Sequence, residues 1–541
     1  MLSLLKKNYL IFLILLLALF LRLWGISYGL PGLFIGDEKS LVGGALKMIF
    51  EKNIFPVLEQ DVFRLLYYPT FIPWVYLIFF APYVIFVYLT GDFGSLAELR
   101  DFFVMEPAVF FLIARIINVL FSTAAVFLIY LIAKKIFSKR AGLMAALLYG
   151  VSFLPFHQGH FSKHWNFGIF FALLIVSFSF SFFKNPKTKN YLLGSLAVGL
   201  AFFSDYVMAV YGSLAVLIHF LLPGQSFGRK FFSKKLWLFI VISLIISVSA
   251  ILVYPQEFYR MAFGEDSGQN PSKEFVPFFD VVFQVFNVLF YLAPFIFILS
   301  LFGYLFLFFQ NKRIFSLLIF IPLISPFLYY FLFHFEPRYI LLFLPVLAIA
   351  AGFGLDRIIN FLRIKSNIIA GLISLIVIFL PLKNAVMFDK IISQTDTRNL
   401  AKNWIEENLP AGSKIITNSW EFNLIRNQEC LNQQQLIRNM SLRSRDYVMM
   451  SRPFPDSYCV WPLDLIGVLP PNVSEYEYYL IDEYTTRRFG HLGEKLTENA
   501  QLIKKFEGSL YNPSDEGPVI FPHERFKDKR LGPIVEIYKL K

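Results

Sequence analysis

Cysteine and charge are the scarce components of this chain. Only Cys430 and Cys459 occur in 541 residues, both in the polar C-terminal part, which excludes a zinc ribbon or a disulfide-rich framework and leaves their pairing open. Charged residues make up 16% against 57% hydrophobic, with 66 phenylalanines. The mean hydropathy of +0.59 lies well above that of ordinary soluble domains. These values define a polytopic α-helical membrane protein. A net charge of +12 would suggest nucleic acid as partner for a soluble chain, but here Lys and Arg cluster in short loops between apolar runs and set topology instead. No nucleic-acid partner is expected; membrane lipids are. No small-residue cleavage site follows the first apolar run, only Arg22, Trp24 and Gly25, so this segment reads as a retained signal anchor. Internal repeats and low-complexity tracts are lacking as well.

What is present is a series of apolar runs of spanning length. A helix needs about 20 mostly apolar residues to cross the hydrocarbon layer, which residues 9 to 26 roughly meet. With Lys6 and Lys7 inside, this helix delivers Asp37 to the outer face. The run 71 to 90 carries Pro73 and Pro82. If it crosses, Lys134, Lys135, Lys139, Arg140 and nearly all later basic clusters fall outside; if it lies along the outer surface, they fall inside. The second choice gives eleven crossings: the first helix, then 108 to 133, 141 to 156, 165 to 183, 190 to 204, 206 to 222, 236 to 253, 281 to 309, 314 to 331, 338 to 354 and 367 to 382. Inner loops then hold Lys184, Lys187 and Lys189; Arg229, Lys230, Lys234 and Lys235; Lys312 and Arg313; and Arg357, Arg363 and Lys365.

Residues 1–382 thus form the membrane domain and 383–541 an extracytoplasmic α/β domain. The latter is predicted to hold a helix at 396 to 408 and strands at Lys414 to Asn418, Tyr476 to Ile481 and Ile534 to Tyr538. A long first loop, 27 to 107, and a loop at 254 to 280 complete the outer face. The chemistry is therefore expected on the outer side, with the N-terminus cytoplasmic.

Four stretches carry a family resemblance. PGLFIGDEKSLVGGALKM opens an amphipathic helix with an Asp-Glu pair, and YYPTFIPWVYL is a proline-bearing helix. IARIINVLFSTAAVFLIYLIAKKIFSKRAGLMAALLYGVS runs on to HQGHF, and HFEPRYILLFLPVLAIAAG leads after one more span to DTRNLAKNWIEENLPAGSKI. In order and topology these resemble the protein O-mannosyltransferase and aminoarabinose transferase superfamily of GT-C glycosyltransferases. The chain departs from that pattern at the run after His160, which has no acid, and at Asp205, where many relatives have a Lys.

The resemblance implies transfer of a sugar from a polyprenyl phosphate to an acceptor hydroxyl, with inversion at the anomeric carbon. Because phosphate is already a good leaving group, such a site needs a base and a cationic cradle rather than an acid. Asp37 is the candidate base, weighed against a loop carboxylate capping the next helix, and Glu38 a partner that orients it or binds the acceptor. Arg338, with Tyr339, is the candidate phosphate ligand; the alternative is an interfacial anchor paired with Glu336. Lys163 is a second cation at that depth, and His160 a donor to sugar or phosphate. His157, His160 and His164 share one helical face, but no carboxylate or Cys nearby completes a metal set. His157 and Arg115 are further substrate-binding candidates, Arg115 being expected to tie down the first loop, and Asp205 is expected either to help bind the sugar or, the favoured reading, to sit in an exposed turn. No cofactor is predicted, and a divalent ion is compatible with the chemistry without being required. Asn439 and Asn472 begin Asn-x-Ser triplets. The rival readings are a transporter or flippase of lipid-linked sugars, for which inverted repeats and interrupted helices would argue, and a non-catalytic envelope-glycan assembly factor.

Overall fold

The computed structural model describes residues 2–59, 66, 68–224, 226–263, 277–332, 336–364, 366–437, 443–486, 495–498, 500–509 and 530–540. Lys365, Asn439 and the middle of the loop at 254 to 280 lie outside the described residues.

Helix α1 (Leu2–Leu23) enters the bundle and a turn segment leads to α2 (Gly36–Phe50). Helices α3 (Phe71–Thr90) and α4 (Leu96–Met105) complete the first loop. The central bundle follows with α5 (Ala108–Ile136), α6 (Lys139–Val151), α7 (Phe153–His160), α8 (Trp165–Lys184), α9 (Thr188–Ser204), α10 (Tyr211–Phe220) and α11 (Lys234–Val253). It ends with α12 (Phe278–Leu292), α13 (Pro294–Gln310), α14 (Lys312–Leu332), α15 (Leu344–Phe361) and α16 (Asn367–Ile392). Among the described residues seven helices are long and apolar enough to cross a membrane, one of them α3, and a bent pair would make eight.

Two runs depart from the expected crossings. The expected span 281 to 309 is broken at Ala293 and Pro294, where α12 and α13 meet at 113°. Proline starts α13 at a position where its missing N–H costs nothing, and the chain turns there instead of continuing. Phe278 of α12 packs on Phe327 and Tyr330 near the end of α14, so α12 lies across helix ends. The last run does not stop at 382 but continues as helix to Ile392, which carries Asp389 into the bundle.

Small residues set the closest packing. A β-carbon at Gly303 of α13 would lie 2.1 Å from the carbonyl oxygen of Ala350, and one at Gly352 of α15 2.5 Å from that of Ala141. Helix α15 is therefore wedged between α13 and α6 with backbones in contact, the arrangement that small side chains permit where lipid offers no hydrophobic drive.

Helix α5 marks the two ends of the bundle. On α5, Arg115 lies beside the first loop while Lys135, 20 residues further, donates to Ser181 Oγ at 2.6 Å. Twenty residues of helix span about 30 Å, the thickness of the hydrocarbon layer. At the Lys135 end, Arg140 pairs with Asp356, which also accepts from Ser138 at 2.9 Å. Helix α3 stays at the Arg115 end. Phe71 packs on Phe171 and Phe203, Tyr76 on Phe167, and Phe80 and Tyr83 on Phe110, all within two turns of the helix ends on that side. It packs on those ends while being long and apolar enough to cross.

The C-terminal part begins with α17 (Thr397–Asn408) and holds a five-stranded sheet in the order β2-β1-β3-β5-β4. Its strands are β1 (Lys414–Thr417), β2 (Cys459–Pro462), β3 (Tyr478–Asp482), β4 (Gln501–Phe506) and β5 (Val535–Lys539). Strand β1 runs parallel to β2 and β3, whereas β5 is antiparallel to β3 and β4. Ile415, Leu480, Val535 and Ile537 bury one face against Ala401 and Ile405 of α17. The sequence pattern locates three of these strands; β2 and β4 are additional. Cys430 and Cys459 are disulfide-bonded, joining the helix α18 (Gln428–Ile437) to β2.

Candidate active site

The first turn of α2 sends three consecutive side chains in three directions. Glu38 points inward and is fully buried, with both carboxylate oxygens held by Arg115, whose Nε and Nη2 donate at 2.9 and 2.7 Å. The backbone N–H of Ser162 also donates to Glu38, at 2.6 Å, and Arg115 Nη1 donates to the carbonyls of Ile26 and Tyr28 at 2.7 Å each. A buried pair of charges persists only when its hydrogen-bonding capacity is met in this way. Arg115 thus ties down the first loop, as expected from the sequence, and both oxygens of Glu38 accept from the scaffold.

Asp37 is partly exposed instead, and its Oδ2 lies 3.7 Å from Lys163 Nζ, a side chain 1% exposed. Lys163 is held there by the segment joining α7 to α8. Asn118 donates to the carbonyls of Gln158 and Phe161, and Asn166 donates to Gln158 O at 2.9 Å. Tyr76 of α3 and Ser162 share a 2.5 Å hydrogen bond. Four buried amide and hydroxyl contacts therefore fix the segment leading into Lys163.

Arg338 completes the cluster from the 3-10 turn Pro337–Leu342. Its Nη2 donates to Glu336 at 2.8 Å, and the guanidinium lies over the Tyr339 ring, 5.7 Å from the centroid. Glu336, Asp37 and neighbouring tyrosines act on the guanidinium electrostatically. Tyr339 stacks on Tyr329, which donates to its carbonyl oxygen, and lies 5.8 Å from Trp165.

His164 and Asp205 belong to the same cluster. The His164 ring stacks on Tyr68 at 4.6 Å and its Nε2 is 3.7 Å from Asp205 Oδ2. Burial pushes His164 down to about 3, with Asp37 and Arg338 pulling in opposite directions, so it is a neutral imidazole and the contact with Asp205 is no ion pair. Burial pushes Asp205 up to about 6, against the Val207 N–H and Arg338. Asp205 does cap a turn, accepting from Val207 N at 3.1 Å, but that turn is buried, not exposed as the sequence suggested. Two short helices meeting at an acid were the only signal for it.

The structure does not bring the other two histidines to Asp37. His160 is fully buried, with Nδ1 3.1 Å from Phe156 O and Nε2 3.1 Å from Trp24 O and 3.0 Å from Asp389 Oδ1. His157 packs among the rings of Phe153, Phe161 and Phe388. His160 thus has a carboxylate partner on α16, 229 residues later, which only tertiary contact reveals. Below it, Arg22 donates to Ser122 Oγ at 2.8 Å and to the carbonyls of Ala18 and Gly150 at 3.0 Å. Gly159 leaves the space for it, since a β-carbon there would lie 2.9 Å from Arg22 Cγ. Among the described residues, no three His, Cys, Asp or Glu side chains converge as metal ligands.

The C-terminal domain grips the loop that carries Asp37. Tyr28 donates to Asp396 Oδ2 at 2.6 Å, Asn399 to Leu30 O at 3.0 Å and Asn423 to Gly32 O at 2.8 Å. Arg398 stacks on Phe34 at 3.6 Å while binding Asp396 through Nε and Nη2, both at 3.0 Å. Lys39, the third side chain of the turn, reaches Glu421 at 3.8 Å and lies over Trp420.

With this geometry in place, the comparisons bear on one stretch of it. Residues 110–254 match the dolichyl-phosphate-mannose-protein mannosyltransferase family. That stretch contains Arg115, Lys163, His164 and Asp205 and not Asp37 or Arg338. No curated protein matches the chain. Among solved structures it resembles ArnT from Cupriavidus metallidurans in the apo state, at 13% identity over 98% of both chains with a TM-score of 0.47. The form of ArnT bound to undecaprenyl phosphate aligns at 11% identity over 98% of both chains, with a TM-score of 0.42. The Archaeoglobus fulgidus oligosaccharyltransferase in complex with Zn and sulfate aligns at 14% identity over 91% of this chain and 71% of that one, with a TM-score of 0.43.

Proposed function

We propose that this protein is an integral membrane glycosyltransferase that moves a sugar from a polyprenyl phosphate to an acceptor hydroxyl on the extracytoplasmic face. The observation that carries the reading is a partly exposed carboxylate, Asp37, set 3.7 Å from a buried ammonium, Lys163, with Arg338 in the same cluster. The match of residues 110–254 to a dolichyl-phosphate-mannose-dependent family supports it independently. The disulfide between Cys430 and Cys459 supports the outer placement, because such bonds persist in oxidising compartments.

In this mechanism Asp37 takes the proton of the acceptor hydroxyl as its oxygen attacks the anomeric carbon. The bond from that carbon to the phosphate oxygen breaks, and its electron pair leaves with the phosphate. Lys163 and Arg338 hold the departing charge, the guanidinium suiting phosphate through paired donors. Glu38 and Arg115 keep α2 in register without touching substrate. Attack opposite the leaving group inverts the configuration.

One observation speaks for a transporter of lipid-linked sugars, the broken pair α12 and α13. Its break lies at helix ends rather than mid-bundle, where a substrate pathway would require it.

The test is Asp37→Asn, assayed in membranes with a panel of radiolabelled polyprenyl-phosphate hexoses and pentoses. Sugar transfer is expected to fall by at least about two orders of magnitude with normal insertion. Near-normal turnover would reject Asp37 as the base. Vesicle uptake of the lipid-linked sugar without transfer would favour the transporter.

A further inference from the structure

Lined by Lys39 of α2 is a cavity of about 180 Å³ between the first loop, the junction of α4 and α5, and the C-terminal domain. Four cations line it, Lys39, Lys402, Arg443 and Arg445, against one acid, Glu106. We propose that this cavity binds the anionic group, a phosphate or a carboxylate, of a sugar acceptor, at a distance from the hydroxyl that reacts.

The placement of charge argues for an anion. Acids do approach these cations from behind: Glu421 reaches Lys39 at 3.8 Å, Asp446 reaches Arg443 at 3.2 Å and Glu406 reaches Lys402 at 3.6 Å. Asp446 is itself committed to the buried Arg426, and Glu421 to Arg398, so neither neutralises the cavity fully. Arg445 has no carboxylate ion pair among the described residues; it donates to Asn423 Oδ1 at 3.2 Å and its buried Nε has no hydrogen-bond partner. Burial first, and then Arg443, pull the charge on Arg445 below its ordinary range, and Lys39 is lowered in the same sense by burial and by its cationic neighbours. Such crowding of like charge costs stability that a bound anion would return.

The lining also suits a sugar. Trp420 presents its ring to the cavity with Lys39 at 4.7 Å and Arg443 at 4.4 Å from its centroid, and Asn399 and Asn423 add amide groups. Flat aromatic and amide surfaces beside fixed cations recognise a ring bearing a charge better than a bare ion. Because Lys39 and Asp37 leave the same helical turn in different directions, an acceptor anchored by its anion would pass round the start of α2 to place its hydroxyl at Asp37. This assignment rests on the glycosyltransferase reading for the word acceptor, and on the cavity alone for the anion.

The test is calorimetric titration of the purified full-length protein with glucose 6-phosphate, glucuronate and glucose. Both anionic sugars are expected to bind and glucose not to. Arg445→Gln and, at the surface, Lys402→Gln are each expected to weaken glucose 6-phosphate binding by about 5–10-fold, as loss of one charge-assisted contact does. Asp37→Asn should bind it like the unaltered protein, so failure of the proposed base leaves this readout standing. Equal binding of glucose, or affinity unchanged in both charge variants, would overturn the proposal. In nanodiscs, loss of glucose 6-phosphate binding when phosphatidylcholine is replaced by phosphatidylglycerol would assign the cavity to a lipid headgroup and overturn the acceptor.

Discussion

Arg115 holds Glu38 by two charge-assisted hydrogen bonds, at 2.9 and 2.7 Å, with both side chains wholly removed from solvent. Neighbours in sequence thus have opposite duties: Glu38 is part of the scaffold, and Asp37, one residue earlier, faces the cluster of cations.

Glu38→Gln is therefore expected to act on folding. Removing one partner of a buried pair leaves the other charge uncompensated, at a cost of about 3 kcal/mol or more. Yield and thermal stability in detergent should fall markedly for Glu38→Gln and hardly at all for Asp37→Asn, measured by size-exclusion profile and melting temperature. Equal stability of the two variants would remove Glu38 from the scaffold.

Arg338 is expected to act on turnover. Its guanidinium is held by Glu336 and lies over Tyr339, and in the proposed mechanism it would be the donor for a phosphate that becomes more negative as the sugar leaves. Loss of such a donor costs about 10²–10³ in kcat. Arg338→Gln should show that loss in single-turnover transfer while melting at nearly the normal temperature, and Arg338→Lys should recover part of it as a point charge. A change confined to KM would mean that the residue binds donor and transition state equally.

How much of this was legible beforehand depends on the range of the contact. The order of helices and the tie from Arg115 to the first loop follow from apolar run length and motif. Lys163 and Arg338 stood out as cations at the membrane border. His160 and Asp389 did not, because their link joins α7 to a helix whose apolar run ends ten residues before it stops being helical. The break between α12 and α13 was hidden by continuous hydrophobicity, since composition reports burial and not direction. Trp420, Arg443 and Arg445 carry no motif in the sequence, and only the fold of the C-terminal domain onto the first loop turns them toward one cavity.

Asp464 supplies a pH dependence in that domain. Burial first, and Glu421 after it, push its carboxyl up to about 7, against the opposing Trp420 N–H and Arg443. Its Oδ2 accepts from Trp420 N at 3.1 Å, whereas Oδ1 is buried with no hydrogen-bond partner. A carboxyl whose pKa is raised on folding is protonated in the folded chain where the unfolded chain is already ionised. Stability from this group is therefore complete below the ordinary carboxylate range near 4 and is lost as pH rises through about 7. Asp464→Asn keeps the acceptor for Trp420 and cannot ionise. At pH 8 it should be more stable than the unaltered protein, by about 2 kcal/mol after allowance for the edge the side chain keeps in water, and at pH 5 the difference should shrink towards zero. Melting curves of the two proteins from pH 5 to 8 give the comparison, and a gain that is independent of pH would show that burial of the charge is not what Asp464 contributes.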